Sequence, residues 1–224
     1  MKKFIVAPSI LTANFLNLKE DLDKLKKAKI EWIHYDVMDY NFVPNLSFGP
    51  KILSDIVNEY SFKMDLHLMV KVVDLSIEEY LEPFLLKNVE QITMHYEALS
   101  ETQIEEFINF CKSRKIKASL SINPETEVSS IKKYLKYIQN ILVMSVKPGF
   151  GGQKFIENSL TKISSLKEIR EMNNYSFLIQ VDGGINEKTL KLVQEAGVDM
   201  IVAGSYLVGS NVKDLEERVS KIEG

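Results

Sequence analysis

Asn140-Ile141-Leu142-Val143-Met144-Ser145-Val146 is a short apolar run; a segment of helical period from Phe155 to Met172 follows it, and then a second run, Phe177-Leu178-Ile179-Gln180-Val181-Asp182. A strand buried on both faces, a long amphipathic helix and another such strand make a βαβ unit, whose crossover helix forces the two strands to lie parallel. The same alternation continues outward in both directions. Strands are expected at Phe4 to Pro8, Trp32 to Val37, Lys63 to Leu68, Gln91 to His95, Lys117 to Ile122 and Met200 to Ala203. Helical segments fall at Leu16 to Ala28, Pro50 to Glu59, Ser76 to Leu86, Thr102 to Arg114, Val128 to Leu135, Glu187 to Ala196 and Asp214 to Ile222. Eight units in 224 residues come near the ~250-residue norm of the eightfold barrel, so the expected fold is α/β, a (β/α)8 TIM barrel forming a single domain over residues 1–224. A doubly wound open sheet is the alternative, because local patterns do not show whether a sheet closes. The longest stretch without regular pattern, Met38 to Gly49, reads as a lid or binding loop.

Composition narrows the function. With 28 basic and 31 acidic residues and a net charge of −3, the chain lacks the basic excess that neutralises a nucleic-acid backbone. No stretch reaches the ~20 apolar residues of a membrane span, and the N-terminal apolar run breaks at Pro8 before a signal core forms, so a cytoplasmic protein is expected. The single Cys111 lies on the Ile104, Phe107, Ile108, Cys111 stripe of an amphipathic helix and reads as a buried structural thiol.

Reactive residues of such barrels cluster at the C-terminal ends of the strands. Those ends are polar here: His34-Tyr35-Asp36-Val37-Met38-Asp39 on the second strand, Asp65-Leu66-His67-Leu68-Met69 on the third, Gln180-Val181-Asp182-Gly183-Gly184 on the seventh. Alternation places His34 with Asp36, and Asp65 with His67 and Met69, on one face of each strand, where they converge at the barrel mouth. A lone strand histidine is more often a core residue than a ligand. Here, however, two of only three histidines stand at mouth positions, each with a carboxylate two residues away. His34, Asp36, His67 and Asp182 make a set suited to one zinc ion, or to iron(II), manganese or cobalt, better than to magnesium, which prefers oxygen ligands and water. The third histidine, in His95-Tyr96-Glu97, is either structural or substrate-lining.

A second signal is independent of the first. Pro148-Gly149-Phe150-Gly151-Gly152-Gln153 follows strand six, Gly183-Gly184 strand seven and Gly204-Ser205 strand eight. Glycines let backbone N–H groups approach an anion, and a short helix beginning near Ser205 would add its N-terminal partial charge. Three such sites on consecutive late strands read as a phosphate cradle.

Ala7-Pro8-Ser9-Ile10-Leu11, Trp32 to Asp39, Asn41-Phe42-Val43-Pro44-Asn45, Asp65 to Val70, Met144 to Gln153 and Val181-Asp182-Gly183-Gly184 together resemble the ribulose-phosphate 3-epimerase family, in order and over nearly the whole chain. The resemblance implies a barrel enzyme that interconverts ribulose 5-phosphate and xylulose 5-phosphate in the pentose phosphate pathway, with one divalent metal per chain and a homo-oligomeric assembly. It puts the metal ligands on His34, Asp36, His67 and Asp182, and the acid/base pair on Asp36 and Asp182. Substrate contacts fall on Ser9 and on the cradle residues Gly151, Gly152, Gly183, Gly184, Gly204 and Ser205, with Gly149, Phe150 and His67 beside them. Met38, Met69 and Met144 crowd the metal site, either as core filling or as soft walls that donate no hydrogen bond to an enediolate. The chain departs from the family pattern at Tyr40, where glycine is usual, at Lys147, where a smaller or acidic residue is common, and at Lys29 and Asn88, which replace turn glycines. Rival expectations are a 3-epimerase of a hexulose phosphate such as allulose 6-phosphate, and a metal-free barrel that only binds a phosphorylated ligand.

Overall fold

Each apolar run becomes a strand: β1 (Ile5–Pro8), β2 (Trp32–Met38), β3 (Lys63–Met69), β4 (Val89–His95), β5 (Lys117–Ile122), β6 (Asn140–Met144), β7 (Leu178–Asp182) and β8 (Met200–Ala203). The computed structural model describes residues 4–209 and 212–224. Between the strands lie α1 (Leu18–Lys27), α2 (Pro50–Glu59), α3 (Ile77–Leu81), α4 (Glu101–Arg114), α5 (Val128–Ile131), α6 (Asn158–Asn173) and α7 (Glu187–Ala196), and α8 (Leu215–Glu223) follows the last strand. All hydrogen-bonded neighbours are parallel, in the order β1-β8-β7-β6-β5-β4-β3-β2. The two ends meet through a parallel bridge between Ser9 and His34. The sheet is thus a nearly closed (β/α)8 barrel, and the open doubly wound alternative is excluded.

Strand alternation divides the side chains between two environments. Outward residues such as Ile33, Tyr35, Leu66, Ile92 and Val181 join Leu53, Phe107, Leu166 and Val193 of the helices in the main hydrophobic core. Inside the barrel, Ala7, Trp32, Met200 and Val202 form a separate small apolar plug. The remaining interior is unusually polar, with Asp65, Gln91, Ser119, Asn140 and Gln180 all fully or almost fully buried. Burying such groups is tolerated only when they are hydrogen-bonded. Accordingly Gln91 and Gln180 donate to Asp65 (2.7 and 2.5 Å), while Asn140 donates to Gln180 (2.6 Å) and Ser119 (2.9 Å).

Element boundaries differ from expectation where local chemistry intervenes. The helix expected from Ser76 to Leu86 ends at Leu81 and tightens into a 3-10 turn, Glu82–Phe84, because Pro83 has no N–H and its ring crowds the carbonyl four residues back. The segment expected as helix from Val128 to Leu135 likewise shortens, with a 3-10 turn at Lys132–Tyr134. Strand β6 stops at Met144 rather than Val146. There Ser145 turns its hydroxyl to the carbonyls of Asp182 (2.9 Å) and Gly183 (2.7 Å) as the chain leaves the sheet. Lys29 and Lys115 both adopt φ 58° just past helix ends, and the N–H groups of Ile30 and Ile116 reach back to Leu25 and Cys111. This is the left-handed C-terminal cap that favours glycine. Cys111 is buried, and burial pushes its thiol up, as befits a structural residue.

Candidate metal centre and active site

The site follows from register. β2 and β3 pair so that His34 lies opposite Asp65, Asp36 opposite His67 and Met38 opposite Met69; β7 brings Asp182 opposite Met144 of β6. One ligand atom from each of His34, Asp36, His67 and Asp182 falls within a cluster whose members all lie within 4.8 Å of one another. His34 Nε2 stands 3.2 Å from His67 Nδ1. Asp36 Oδ1 is 3.3 Å from the former and 3.0 Å from the latter, and Asp182 Oδ2 is 3.8 Å from both.

These spacings fit a metal. Tetrahedral ligands at about 2.1 Å from a zinc-like ion are separated by about 3.4 Å, and the 3.0–3.8 Å observed brackets that edge. The donor chemistry agrees. His34 Nδ1 is 2.7 Å from Asp65 Oδ2, so an Nδ1–H donated to that carboxylate leaves the Nε2 lone pair facing the cluster. Two imidazole nitrogens and two carboxylates aimed at one buried point repel unless a cation or protons lie between them. His34, Asp36, His67 and Asp182 could therefore hold one divalent ion.

The two carboxyls are driven apart in proton affinity. Burial alone would raise Asp36, but the His34 charge and the close approach of the His34 and His67 ring nitrogens outweigh it and hold the carboxyl well below its usual range. Ser9 Oγ also donates to Asp36 at 2.6 Å. Asp182 has no comparable support. Burial, and then the neighbouring charges of Asp36 and Asp65 against the opposing influence of His34, push it up to about 7. At His34, burial works against the charged ring, but Asp36 and Asp65 raise it above its ordinary value, whereas burial dominates at His67 and lowers it.

Above the cluster opens a cavity of about 260 Å³, smaller than the roughly 300–1,000 Å³ of drug-sized sites. Ser9, Asp36, Asp182, Met38, Met69 and Met144 line its floor and walls, and the glycine loops line its other end. Every substrate-site residue expected from the sequence lines this cavity except His67, which with His34 lies fully buried beneath the carboxylates. Phe150 is half exposed at the rim. The N–H groups of Gly184, Gly204 and Ser205 find no acceptor among the described residues, as an anion cradle requires. The helix expected near Ser205 is a single turn closed by Leu207 and Val208 N–H on Gly204 O, so a helix dipole adds nothing there.

Sequence reasoning missed Thr12, whose methyl would lie 2.9 Å from a Cβ at Gly151 and 3.0 Å from one at Gly204; it wedges between the two loops, and no local pattern marks it. The support of Asp65 by Gln91 and Gln180 was equally invisible, although the Asp65-x-His67 spacing hinted at the carboxylate itself. Residues 39–49 do not line the cavity. They brace its glycine loop, with Asn45 Nδ2 donating to Gly149 O at 2.8 Å. Tyr40 adopts φ 58°, the left-handed region that glycine enters most easily, and its side chain stays outside the cavity, whereas Lys147 lines it. His95 is fully buried and lines no part of the cavity; burial pushes it down to about 4, so it is neutral.

Fold and site together define a class: a (β/α)8 barrel with a buried two-histidine, two-carboxylate centre beneath a small glycine-lined cavity. Solved structures of low identity share the barrel alone, among them a variant tryptophan synthase α-subunit of Pyrococcus furiosus (15% identical, 99% of each chain, TM-score 0.71). A second is 3-keto-L-gulonate-6-phosphate decarboxylase of Vibrio cholerae (14%, 99% of this chain and 96% of that one, TM-score 0.69). The sequence profile of the Ribulose-phosphate 3 epimerase family matches residues 5–208, and the chain belongs to that family. Relatives named ribulose-phosphate 3-epimerase include those of Helicobacter pylori (38% identical, covering 94% of this chain and 93% of that one) and Bacillus subtilis (37%, 98% of each).

Proposed function

We propose that the chain epimerises D-ribulose 5-phosphate to D-xylulose 5-phosphate, in the pentose phosphate pathway, by moving a proton at C3. The observation that carries this reading is the placement of two carboxyls, Asp36 and Asp182, in one His/Asp cluster at the floor of a single glycine-lined cavity. Inversion needs such a pair, because a base must remove the C3 proton from one face while an acid supplies a proton to the other. β2 and β7 are separated around the barrel by β1 and β8, so the two carboxyls approach the substrate from different sides of the mouth. Asp36 takes the C3 proton, the electron pair delocalises toward the C2 oxygen as an enediolate, and Asp182 returns a proton to C3 from the opposite side. The roles exchange in the reverse reaction.

A divalent ion bound by His34, Asp36, His67 and Asp182 would supply electrostatic stabilisation of the negative charge that develops as the proton leaves. Ser9 holds Asp36 by its 2.6 Å hydrogen bond. Met38, Met69 and Met144, all buried, exclude water and offer the intermediate no acidic hydrogen. The N–H groups of Gly151, Gly152, Gly183, Gly184, Gly204 and Ser205 receive the phosphate, with Gly149 and Phe150 closing the loop over it. The same reading makes the substrate a small phosphorylated ketose, the metal one zinc, iron(II), manganese or cobalt ion per chain, and the protein a cytoplasmic homo-oligomer with residues 1–224 acting as one domain. Among the described residues no helix is long and apolar enough to cross a membrane.

The test is epimerisation of ribulose 5-phosphate by metal-reconstituted protein beside Asp36→Asn and Asp182→Asn, repeated with allulose 6-phosphate. Pentose activity lost in both variants supports the reading. Activity on the hexulose phosphate alone shifts the substrate to six carbons and directs attention to Lys147, and activity on neither sinks the epimerase.

A further inference from the structure

The His95-Tyr96-Glu97 segment repeats the imidazole-and-carboxylate spacing of β2 and β3, yet it does not line the cavity above the cluster and takes no part in the acid/base chemistry. Its hydrogen bonds lead to the metal centre from behind. Glu97 Oε1 accepts the Asn123 N–H at 2.8 Å and the Thr126 hydroxyl. Glu97 Oε2 lies 3.3 Å from His95 Nδ1, and His95 Nε2 lies 2.8 Å from His67 Nε2. The 123–126 loop is itself clamped by Lys162, whose buried ammonium donates to the carbonyls of Asn123 (2.9 Å), Pro124 (2.6 Å) and Thr126 (2.6 Å). The His67 and His95 rings meet end to end across their Nε2 contact, with centroids 5.0 Å apart and planes within 28° of parallel, and Phe42 packs on His95 at 4.7 Å.

Donor and acceptor complementarity gives this chain one direction. An ionised Glu97 only accepts, so His95 donates from Nδ1. A neutral imidazole with its proton there has a lone pair on Nε2, which accepts from His67 Nε2–H. His67 is then left with its lone pair on Nδ1, the atom 3.0 Å from Asp36 Oδ1 and 3.2 Å from His34 Nε2. We infer that Glu97 and His95 are positioning residues that lock His67 in the tautomer whose Nδ1 lone pair faces the metal, through an imidazole relay anchored on the Lys162-held loop. The inference rests on reading the His34, Asp36, His67 and Asp182 cluster as a metal centre. The relay does for His67 what Asp65 does directly for His34, without placing a fourth carboxylate, beside Asp36, Asp182 and Asp65, against the centre.

Glu97→Gln tests it. The amide keeps an acceptor for Asn123 and Thr126 but presents N–H to His95, so the relay reverses and the proton arrives on His67 Nδ1. Zinc affinity of the purified full chain, measured by chelator competition, should fall about 10–100-fold, the usual effect of losing a metal ligand's hydrogen-bond partner. His95→Gln, whose amide oxygen still accepts from His67, should retain most of the affinity that His95→Leu loses, a contrast that simple core filling does not produce. Long-range ¹⁵N–¹H spectra of the zinc-loaded wild type, with only three histidines to resolve, should show His95 protonated on Nδ1 alone and His67 on Nε2. Wild-type zinc binding together with unchanged affinity in Glu97→Gln, or a His95 carrying its proton on Nε2, overturns the relay. A wild type that binds no zinc removes the metal centre itself and the relay with it.

Discussion

If His34, Asp36, His67 and Asp182 hold a metal as proposed, its affinity should depend on pH through the site's electrostatics. A cation entering the cluster needs Asp182 ionised, and that carboxyl is held up at about 7. It is then about nine-tenths protonated at pH 6 and about one-tenth at pH 8, so Asp182 alone weakens apparent affinity about tenfold between pH 8 and pH 6, ~1.4 kcal/mol. His34, raised by Asp36 and Asp65 against the pull of burial, acts in the same direction, since its proton must also leave. For the metal-free chain the sign is opposite. Asp182 has a folded-state pKa above its unfolded value, so its contribution to stability is present at low pH and is lost as pH rises through about 7. Chelator competition at the two pH values gives the affinities, and calorimetry in two buffers of different ionisation enthalpy counts the protons released. Asp182→Asn should flatten the part of the slope due to Asp182. A wild type whose affinity does not change between pH 6 and 8, or a variant with the same slope, refutes the electrostatic account.

Replacing either acid/base carboxyl, as Asp36→Asn or Asp182→Asn, should lower kcat by roughly 10²–10⁴; steady-state assays with retained fold by circular dichroism check this. A Cβ at Gly183, where φ is 117°, would lie 2.3 Å from Val146 Cγ2. Gly183→Ala should therefore destabilise by roughly 2–4 kcal/mol, with part of the loss recovered in Gly183→Ala/Val146→Ala, read from denaturant midpoints. Lys29→Gly and Lys115→Gly relieve left-handed backbone at φ 58° and should each raise stability by about 0.5–1 kcal/mol after the greater entropy of the unfolded glycine is counted. A lowered melting temperature in both would contradict that assignment.

Much of this was legible in one dimension. Alternating apolar runs and helical segments carried the eight βα units, because burial on both faces of a parallel strand and on one face of its helix leaves a periodic record. Period-two alternation likewise put His34 with Asp36 and Asp65 with His67, since that face-sharing is a property of the strand alone. The late-strand glycines marked one end of the cavity for the same reason, as freedom at positive φ is written into residue type.

What crosses between strands was not legible. Closure of the barrel rests on the Ser9 and His34 bridge, a pairing of chain segments that no local pattern encodes. The splitting of Asp36 from Asp182 comes from which charges surround each carboxyl, and two aspartates look alike in a sequence. Gln91 and Gln180 reach Asp65, and His95 reaches His67, only because register places residues far apart in the chain at hydrogen-bonding distance. Sequence alone determined which side chains each strand presents to the interior; the tertiary structure decided their partners, because protonation, metal fit and tautomer depend on distances of a few ångströms that only the closed barrel sets.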